Sequence, residues 1–469
     1  MHSIGEHEEK KEEEEPDYKV RQGWFWSLVL NGSLPYFYVG FQGVIFNPLQ
    51  DNIAHDLLLS EEEKTKYLAI ISAILFIGGF FGSAVVGKIA ATIGRKMTFV
   101  IINAVSIVAV GLHLIDNRFA MIVARFICGL TFGAHLTLVP VYITEFSPGK
   151  YIEMCAGVYS TVLGAGICSA FAFGTNCPDA EKFDLVWWRI CFCALVPFLV
   201  LNIILFLTVF KLDTPLYYLE VLKDRQSCED ALKIVYEDPE EINKIITKME
   251  DAIKENEAKE EIGYRVLFCS GRFTRQLVIG LLFTIAWNFC GYVAFDAYST
   301  EIFKRTMDKK MSTIFSLLTG VMSLIGSVVS IGTFAKIRSK ILLVGGYCIL
   351  CSIDLALVVL EHYKVYEPEK YLVLIFYFMI AAAVFIQYKI TAELLPDIGV
   401  SFLGLFLMLG TVITTFIFPF MLESSMQFQW SMFLFAVITL LCIIYFGIFY
   451  KETDKMKLHV VEELYKTWL

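Results

Sequence analysis

The sequence predicts an all-α integral membrane protein with twelve transmembrane helices, arranged as two pseudo-symmetric bundles of six. Of the 469 residues, 57% are hydrophobic and only 19% are charged, whereas soluble domains average about 45–50% and about 25%. The apolar residues fall in runs of about twenty, the length of helix that crosses a bilayer core of about 30 Å. A single long charged stretch separates the first six runs from the last six.

We number these runs as spans 1 to 12 in chain order. The first six cover 24–46, 67–90, 97–115, 119–143, 154–175 and 186–210. The last six cover 276–298, 312–335, 341–360, 371–395, 401–422 and 429–450. The predicted domains are an acidic tail (1–22), a first bundle (23–210), a linker of amphipathic helices (211–275), a second bundle (276–450) and a second tail (451–469).

The distribution of lysine and arginine predicts the orientation, because cytoplasmic loops are enriched in both. More basic residues near the ends of the spans lie on the cytosolic side when both termini are placed in the cytosol. One exception is a cluster that this orientation places on the extracellular side: Lys304, Arg305, Lys309 and Lys310. The first tail has no apolar core and is therefore not a cleavable signal. We expect a multi-pass protein of the plasma membrane.

Charge and motif content exclude several functions. A net charge of −9 without a basic face argues against a nucleic-acid partner, since phosphate binding needs concentrated positive charge. Seven histidines are scattered along the chain without the spacing of metal ligands, and no loop of the phosphate-binding type is present. We therefore expect no enzyme activity, no metal, no cofactor and no obligate protein partner. The expected partners are a small-molecule solute and the lipid bilayer.

The two halves echo each other in sequence. Span 4 ends in TEFSP, with Glu145 and Pro148, and span 10 ends in AELLP, with Glu393 and Pro396. Both spacings are 248 residues (393 − 145 and 396 − 148). Together with the division into six and six, this predicts a duplicated bundle whose binding site lies at the interface between the halves.

Three motifs carry a resemblance to a known family. The segment 87–96 is GKIAATIGRK, the segment 125–148 is RFICGLTFGAHLTLVPVYITEFSP, and Glu452-Thr453 follows span 12. In this order they resemble the sugar porter branch of the major facilitator superfamily, and the chain is similar to a divergent facilitative glucose transporter. The resemblance implies the major facilitator fold and transport by alternating access.

Charged residues gather at the predicted cytosolic ends of the helices, where the resemblance implies an inner gate. An ion pair at a partly desolvated seam contributes on the order of 1 kcal/mol, so a few pairs can bias a two-state equilibrium without locking it. The alternative is that these residues are solvated helix ends. The gate candidates are Arg95, Lys96, Glu145, Asp213, Lys340, Glu393 and Glu452.

The substrate site implied by the resemblance holds amides and aromatic rings, because sugars need hydrogen-bonding partners and an apolar face for the ring. In this chain Trp287 and Asn288 stand where the family has paired glutamines, and Tyr388 stands where it has a tryptophan. For each candidate, a packing role is the alternative. The candidates are Trp287, Asn288, Tyr388, Gln42, Thr161, Tyr298, Ser323, Gln387 and Thr411.

Coupling to protons is left open by the residues. Proton-coupled porters that the chain resembles have an Asp in span 1, where this sequence has Gln42, and an amide cannot carry a proton. Against this, Asp296 and Lys389 lie within spans, and charges there are expected to be functional. The open alternatives are that the two residues pair, bind a charged group or relay a proton, or that Asp296 lies near the outer end of its helix and reaches water. The predicted function is facilitated diffusion of a small polar solute, a hexose in the first instance. The alternatives are a proton-coupled sugar or charged-solute carrier that uses Asp296 and Lys389, and a nutrient sensor that does not transport.

Overall fold

A computed structural model describes residues 18–175, 187–258, 263–333, 337–453, 456 and 458–466. Side chains at 61, 256–258, 332–333, 382–389, 397 and 458–459 fall outside this description. Across the described residues the structure is helical, and the one extended pairing is an isolated antiparallel bridge between Val20 and Tyr236.

The described part of the first half contains eight helices. They are α1 (Gln22–Val44), α2 (Phe46–Asp56), α3 (Glu61–Ile93), α4 (Arg95–Leu112), α5 (Arg118–Phe146), α6 (Ile152–Thr175), α7 (Trp187–Cys193) and α8 (Val196–Thr208). A short 3-10 turn, Gly149–Tyr151, precedes α6.

The linker and the second half contain the remaining helices. The linker helices are α9 (Pro215–Glu220), α10 (Arg225–Leu232), α11 (Pro239–Ala258) and α12 (Tyr264–Cys269). The second half comprises α13 (Thr274–Phe289), α14 (Tyr292–Lys304), α15 (Lys309–Thr333), α16 (Ser339–His362), α17 (Glu367–Leu394), α18 (Asp397–Glu423) and α19 (Gln427–Phe449). A final helix, α20, covers Leu458–Lys466.

The helices supply the twelve predicted spans. Within the described chain, ten segments are long and apolar enough to cross a membrane. The helices α1 and α17, of 23 and 28 residues, complete the set of twelve. The end of the bundle that carries the linker and both termini is called the linker side, and the opposite end is called the far side.

Two spans depart from a simple helix. Span 1 is longer than predicted, because Ile45 keeps right-handed helical angles and the chain continues into α2. Span 7 is broken between α13 and α14, where Gly291 has φ of +89°, a conformation that favours glycine. The break leaves backbone carbonyls without helical partners. Thr414 and Thr439 donate hydrogen bonds to the carbonyls of Asn288 and Phe289, at 3.4 Å and 3.3 Å.

Glycines allow α3 and α5 to pack backbone to backbone. Gly78 on α3 faces Gly129 on α5, Gly133 of α5 faces Gly79, and Gly82 lies against the backbone of Leu130. A Cβ on Gly82 would stand 1.9 Å from the carbonyl oxygen of Leu130. Small residues such as these are typical of close helix contacts in membranes. Lipid tails are as apolar as the side chains, so helices associate through close van der Waals packing rather than through the hydrophobic effect.

The halves meet along two pairs of helices. The helix α6 packs against α15, and α3 packs against α18. Gly164 lies against Leu324 and Gly320 lies against Cys168, so the contact of α6 with α15 also relies on small residues. The halves therefore enclose the space between α1, α6, α13, α14 and α18.

Both tails are tied to the linker side. The chain before α1 pairs with the linker through the Val20–Tyr236 bridge, and the Lys19 N–H donates to Glu241. After α19, Glu462 of α20 accepts two hydrogen bonds from Arg272, at 2.6 Å and 2.7 Å. These bonds lower the pKa of the Glu462 carboxyl from its ordinary value.

Replacing Gly82 by Val should destabilise the protein, because the new side chain would force α3 away from α5. Overpacking typically costs about 1–3 kcal/mol. The melting temperature in detergent should fall clearly for Gly82→Val. Gly87→Val is the control on the same helix, since no neighbouring atom lies within 4 Å of its added Cβ. Equal melting temperatures for the two variants would contradict this account of the packing.

Candidate functional site

A cavity of about 250 Å³ lies between the two halves. Its mostly apolar wall and its place between helix bundles are typical of a site for a small molecule. Residues of the first half that line it include Tyr36, Gly40, Gly43, Phe132, Tyr159 and Ser160. Residues of the second half that line it include Trp287, Tyr292, Val293, Asp296, Met408 and Thr411.

Aromatic rings form much of the cavity wall. The rings of Tyr36 and Tyr159 meet edge to face with centroids 5.1 Å apart, and those of Trp287 and Tyr292 meet in the same way at 5.1 Å. The Tyr36 hydroxyl donates to the carbonyl of Leu136 at 3.0 Å. Such rings present apolar faces to a bound molecule at little entropic cost, since each has few rotatable bonds.

Asp296 places a carboxyl group in this otherwise apolar wall. Its Oδ1 is buried and has no hydrogen-bond partner, while its backbone carbonyl accepts from Asn47 at 3.0 Å. The kink at Tyr298, where φ is −137°, follows two residues later. A carboxylate without a partner in such a site is costly unless a cation or a proton joins it.

The cavity contains two of the predicted substrate residues, Trp287 and Thr411. Asn288, predicted beside them, instead points away from the cavity and joins α13 to α18. Its amide nitrogen donates to the carbonyls of Thr284 and Leu407, and its oxygen accepts from the Thr411 hydroxyl at 2.9 Å. Gly410 makes room for it, because a Cβ there would stand 2.4 Å from the amide nitrogen.

Gln42, also predicted in the cavity, faces the interior of the first half. It is fully buried, and both its backbone carbonyl and its Oε1 accept from Arg125 at 3.2 Å. The guanidinium of Arg125 also lies over the ring of Phe46. Gly40 and Gly43, on a different face of α1, line the cavity in its place.

Three more predicted residues lie outside the cavity wall. The Thr161 hydroxyl bonds to the carbonyl of Gly157 in its own helix, and its neighbour Ser160 lines the cavity instead. Tyr298 is buried and donates to the carbonyl of Thr415 at 2.8 Å. Ser323 is buried in α15. Neighbouring positions along a helix point about 100° apart. The spacing of residues in the sequence alone does not show which of two neighbours points into the cavity.

The side chains of Gln387, Tyr388 and Lys389 lie outside the described residues. The helix positions nevertheless argue against the predicted pairing of Asp296 with Lys389. Asp296 lies 22 residues (296 − 274) from the linker-side start of α13, and Lys389 lies 5 residues (394 − 389) from the linker-side end of α17. At 1.5 Å per residue, α13 alone, from Thr274 to Phe289, rises about 22 Å (15 residues, 289 − 274) before Asp296 is reached, whereas Lys389 lies about 8 Å along α17 from its linker-side end. A lysine side chain does not span that difference.

The gate residues of the first half pair with one another. Arg95 binds Glu145 at 2.8 Å in a largely buried ion pair. Asp213 accepts hydrogen bonds from the backbone N–H groups of Arg95, Lys96 and Thr214, and so caps the start of α4. Burial raises the pKa of the Asp213 carboxyl, although these hydrogen bonds act in the opposite direction.

The gate residues of the second half repeat the carboxylate at the start of a helix. Glu452 accepts from the backbone N–H of Lys340 at 3.2 Å, and the ammonium group of Lys340 donates to the carbonyl of Tyr450. Glu393 accepts from the Thr453 hydroxyl at 2.9 Å. We expect opposite charges in this set to pair between the halves when the inner side closes and to separate when it opens. The contacts described for the set join parts of one half, its tail or the linker, so pairing between the halves stays a prediction.

The direct polar contacts between the halves are instead concentrated on the far side. Asn47 donates to Ser299 at 2.9 Å and accepts from the Thr300 N–H at 3.2 Å. Gln50 donates to the carbonyl of Ala297 at 3.1 Å, and Asp51 forms an ion pair with Lys304. These contacts form a far-side layer above the cavity.

Sequence reasoning missed the far-side layer. Its first-half members lie beyond the predicted end of span 1, in α2, where Asn47, Gln50 and Asp51 follow one another at helical spacing. Polar residues at intervals of three and four share a helix face. The motif NPLQD therefore held a usable indication, but only once the helix was known to continue past Ile45.

The comparisons with known proteins agree with this geometry. A family model described as "Sugar (and other) transporter" matches residues 25–465. The chain belongs to this family. It is 26% identical over 406 residues to a glucose transporter of Staphylococcus epidermidis, which is 84% of this chain and 87% of the relative. It is 25% identical over 349 residues to hexose transporter 1 of Plasmodium yoelii yoelii, covering 70% and 68% of the two chains.

The fold also matches a solved structure. The proton:xylose symporter XylE bound to 6-bromo-6-deoxy-D-glucose aligns with a TM-score of 0.79 at 18% identity, covering 95% of this chain and 99% of that chain. The predicted family, the major facilitator fold and the transport function are confirmed. The transporter is a multi-pass integral membrane protein, and its family is one of transporters rather than enzymes.

Replacing Asn47 by Leu should open the far side, because it removes hydrogen bonds between the halves. Each is worth about 1 kcal/mol, and about 1.4 kcal/mol shifts an equilibrium tenfold. The measurement is the rate at which an impermeant thiol reagent, added from the far side, modifies Val293→Cys in a background without native cysteines. Asn117→Leu is the control, since Asn117 caps α5 within one half. Equal rates in the two backgrounds would contradict the role of the far-side layer.

Proposed function

We propose that the transporter carries a hexose by facilitated diffusion, with the two halves rocking around the cavity in alternating access. The observation that carries the proposal is the position of the cavity: it lies between the two related halves, beneath the contacts of the far-side layer. Relatives named glucose and hexose transporters support a sugar as the solute. Aromatic faces suit the apolar side of a sugar ring.

The contact between Gln42 and Arg125 supports transport without a proton. The resemblance places a titratable Asp in span 1 of proton-coupled porters, and here an uncharged amide receives the bonds of Arg125. The second candidate is a proton-coupled carrier. Asp296 favours it, because its carboxyl lines the cavity and its Oδ1 lacks a partner.

The site residues take different roles in this proposal. Trp287 and Thr411 contact the solute, and Tyr388 and Gln387 remain proposed contacts from α17. Asn288 holds Thr411 in place through their hydrogen bond, and Tyr298 and Ser323 support the neighbouring helices. Gln42 and Thr161 shape the first half.

The charged helix ends act as clamps within each half. The Arg95–Glu145 pair and the cap provided by Asp213 fix the linker-side ends of α4 and α5. Glu452 and Glu393 fix those of α16 and α17. Each half then moves as one body. Lys96 and Lys340 complete these clamps through bonds to backbone carbonyls.

We further propose that the linker side faces the cytosol and that the protein resides in the plasma membrane. The excess of basic residues at the linker side supports this orientation. The units that move are the first bundle, 23–210, and the second bundle, 276–450, joined by the linker at 211–275. The transporter needs no protein partner in this scheme.

Labelled glucose should equilibrate across proteoliposomes without a pH gradient, because no titrating group is needed for the solute to cross. The measurement compares the initial rate and the final level of uptake with and without an inward proton gradient. Under facilitated diffusion, the gradient leaves the final level unchanged. Accumulation above equilibrium that depends on the gradient would favour the proton-coupled candidate.

Replacing Trp287 by Ala should lower glucose flux at least ~10-fold, since burying one large apolar side chain contributes about 1.5–3 kcal/mol. Trp430→Ala is the matched control, because Trp430 lies on α19 and is 54% exposed. Flux is measured at equal amounts of folded protein. A similar loss for both tryptophans would rule out a specific contact at Trp287.

A further inference from the structure

The cavity carries one carboxyl group that no described basic group compensates. Asp296 lines the wall, its Oδ1 is buried, and it takes part in none of the described ion pairs. Among the described residues that line the cavity, none is a lysine or an arginine. An ion taken out of water costs several kcal/mol unless a partner of opposite charge or hydrogen bonds replace the lost hydration.

The basic groups at comparable depth are engaged elsewhere. Arg125 approaches α1 on the face of Gln42, binds the carbonyl and Oε1 of that residue, and lies 5.3 Å from the ring centroid of Phe46. Lys304 binds Asp51 and Glu301. Lys389 lies only about 8 Å along α17 from its linker-side end. We therefore expect the partner of the Asp296 carboxyl group to be a group on the solute that enters the cavity.

The surroundings of Asp296 favour an organic cation. Tyr292 lies one turn before it on α14, in edge contact with Trp287, and the rings of Tyr36 and Tyr159 line the same cavity. The faces of tryptophan and tyrosine rings attract ammonium groups, more strongly where water is excluded. A site for a bare proton would need the carboxyl group but not the rings.

We propose that Asp296 binds an ammonium group on the solute, so that the preferred substrate is an aminated sugar rather than a neutral one. This inference rests on the proposed sugar transport. The carboxylate forms a charge-assisted hydrogen bond with the ammonium group, which is stronger than a bond between neutral groups. The aromatic rings hold the adjoining ring carbons.

The test compares D-glucosamine with D-glucose, which differ by one amino group in place of a hydroxyl. Both compete against labelled glucose uptake into proteoliposomes, in a buffer acidic enough to keep the amine protonated. Wild type should bind glucosamine at least ~10-fold more tightly than glucose. Asp296→Asn keeps the shape and removes the charge, so the ratio of glucosamine affinity to glucose affinity should fall to about one. Asp251→Asn is the control, since Asp251 lies on the linker with its side chain 70% exposed.

Three results would overturn the inference. They are equal inhibition by the two sugars in wild type, an unchanged ratio in Asp296→Asn, and an Asp296→Asn variant that loses only proton-driven accumulation of glucose. The last would make Asp296 a proton site.

Failure of sugar transport as such is detected separately. If wild type moves neither sugar, the proposed function fails, and the inference is decided by melting temperature in detergent. A rise caused by glucosamine in wild type and absent in Asp296→Asn supports an ammonium site. No rise in wild type overturns it.

Discussion

The structure depends on a constraint that the bilayer imposes: backbone polar groups in lipid must be satisfied within the protein. Span 7 is the place where this constraint is relaxed. Gly291 breaks the helix, and threonines of α18 and α19 take over the freed carbonyls. The carboxyl of Asp354 lies behind the break, with Oδ1 3.3 Å from the position of a Cβ on Gly291. Because of the break, α14 departs from the line of α13 and carries Tyr292 and Asp296 to the cavity.

Much of the fold could be predicted from the sequence because bilayer thickness fixes the length of each apolar run. The same rule does not set where a helix ends beyond the membrane, so the continuation of α1 into α2 was missed. The far-side layer was missed for the same reason, because its first residue, Asn47, lies in α2. The linker stood out because its charges interrupt the apolar pattern.

The site was less predictable than the fold. Spacing and resemblance located Trp287 and Thr411 on the correct helices, but they did not distinguish Asn288, which points the other way. One position along a helix changes the direction of a side chain by about 100°, so the neighbouring helix determines whether a side chain lines the cavity or packs against that helix. For Asn288, Gly410 on α18 leaves the space into which the amide packs. The charges at the helix ends lie close to one another, and their contacts depend on Asp213 and Glu452, which accept hydrogen bonds from backbone N–H groups.

The anchoring of the two tails has a practical consequence. The chain before α1 is paired with the linker through Val20 and Tyr236, while α20 is held to the second half by Arg275 of α13, which donates to the carbonyl of Tyr465. A fluorescent label near residue 18 would move with the first half, and a label near residue 466 would move with the second half. The distance between two such dyes depends on the angle between the halves. The efficiency of fluorescence energy transfer between them therefore follows the transport cycle without any probe in the cavity.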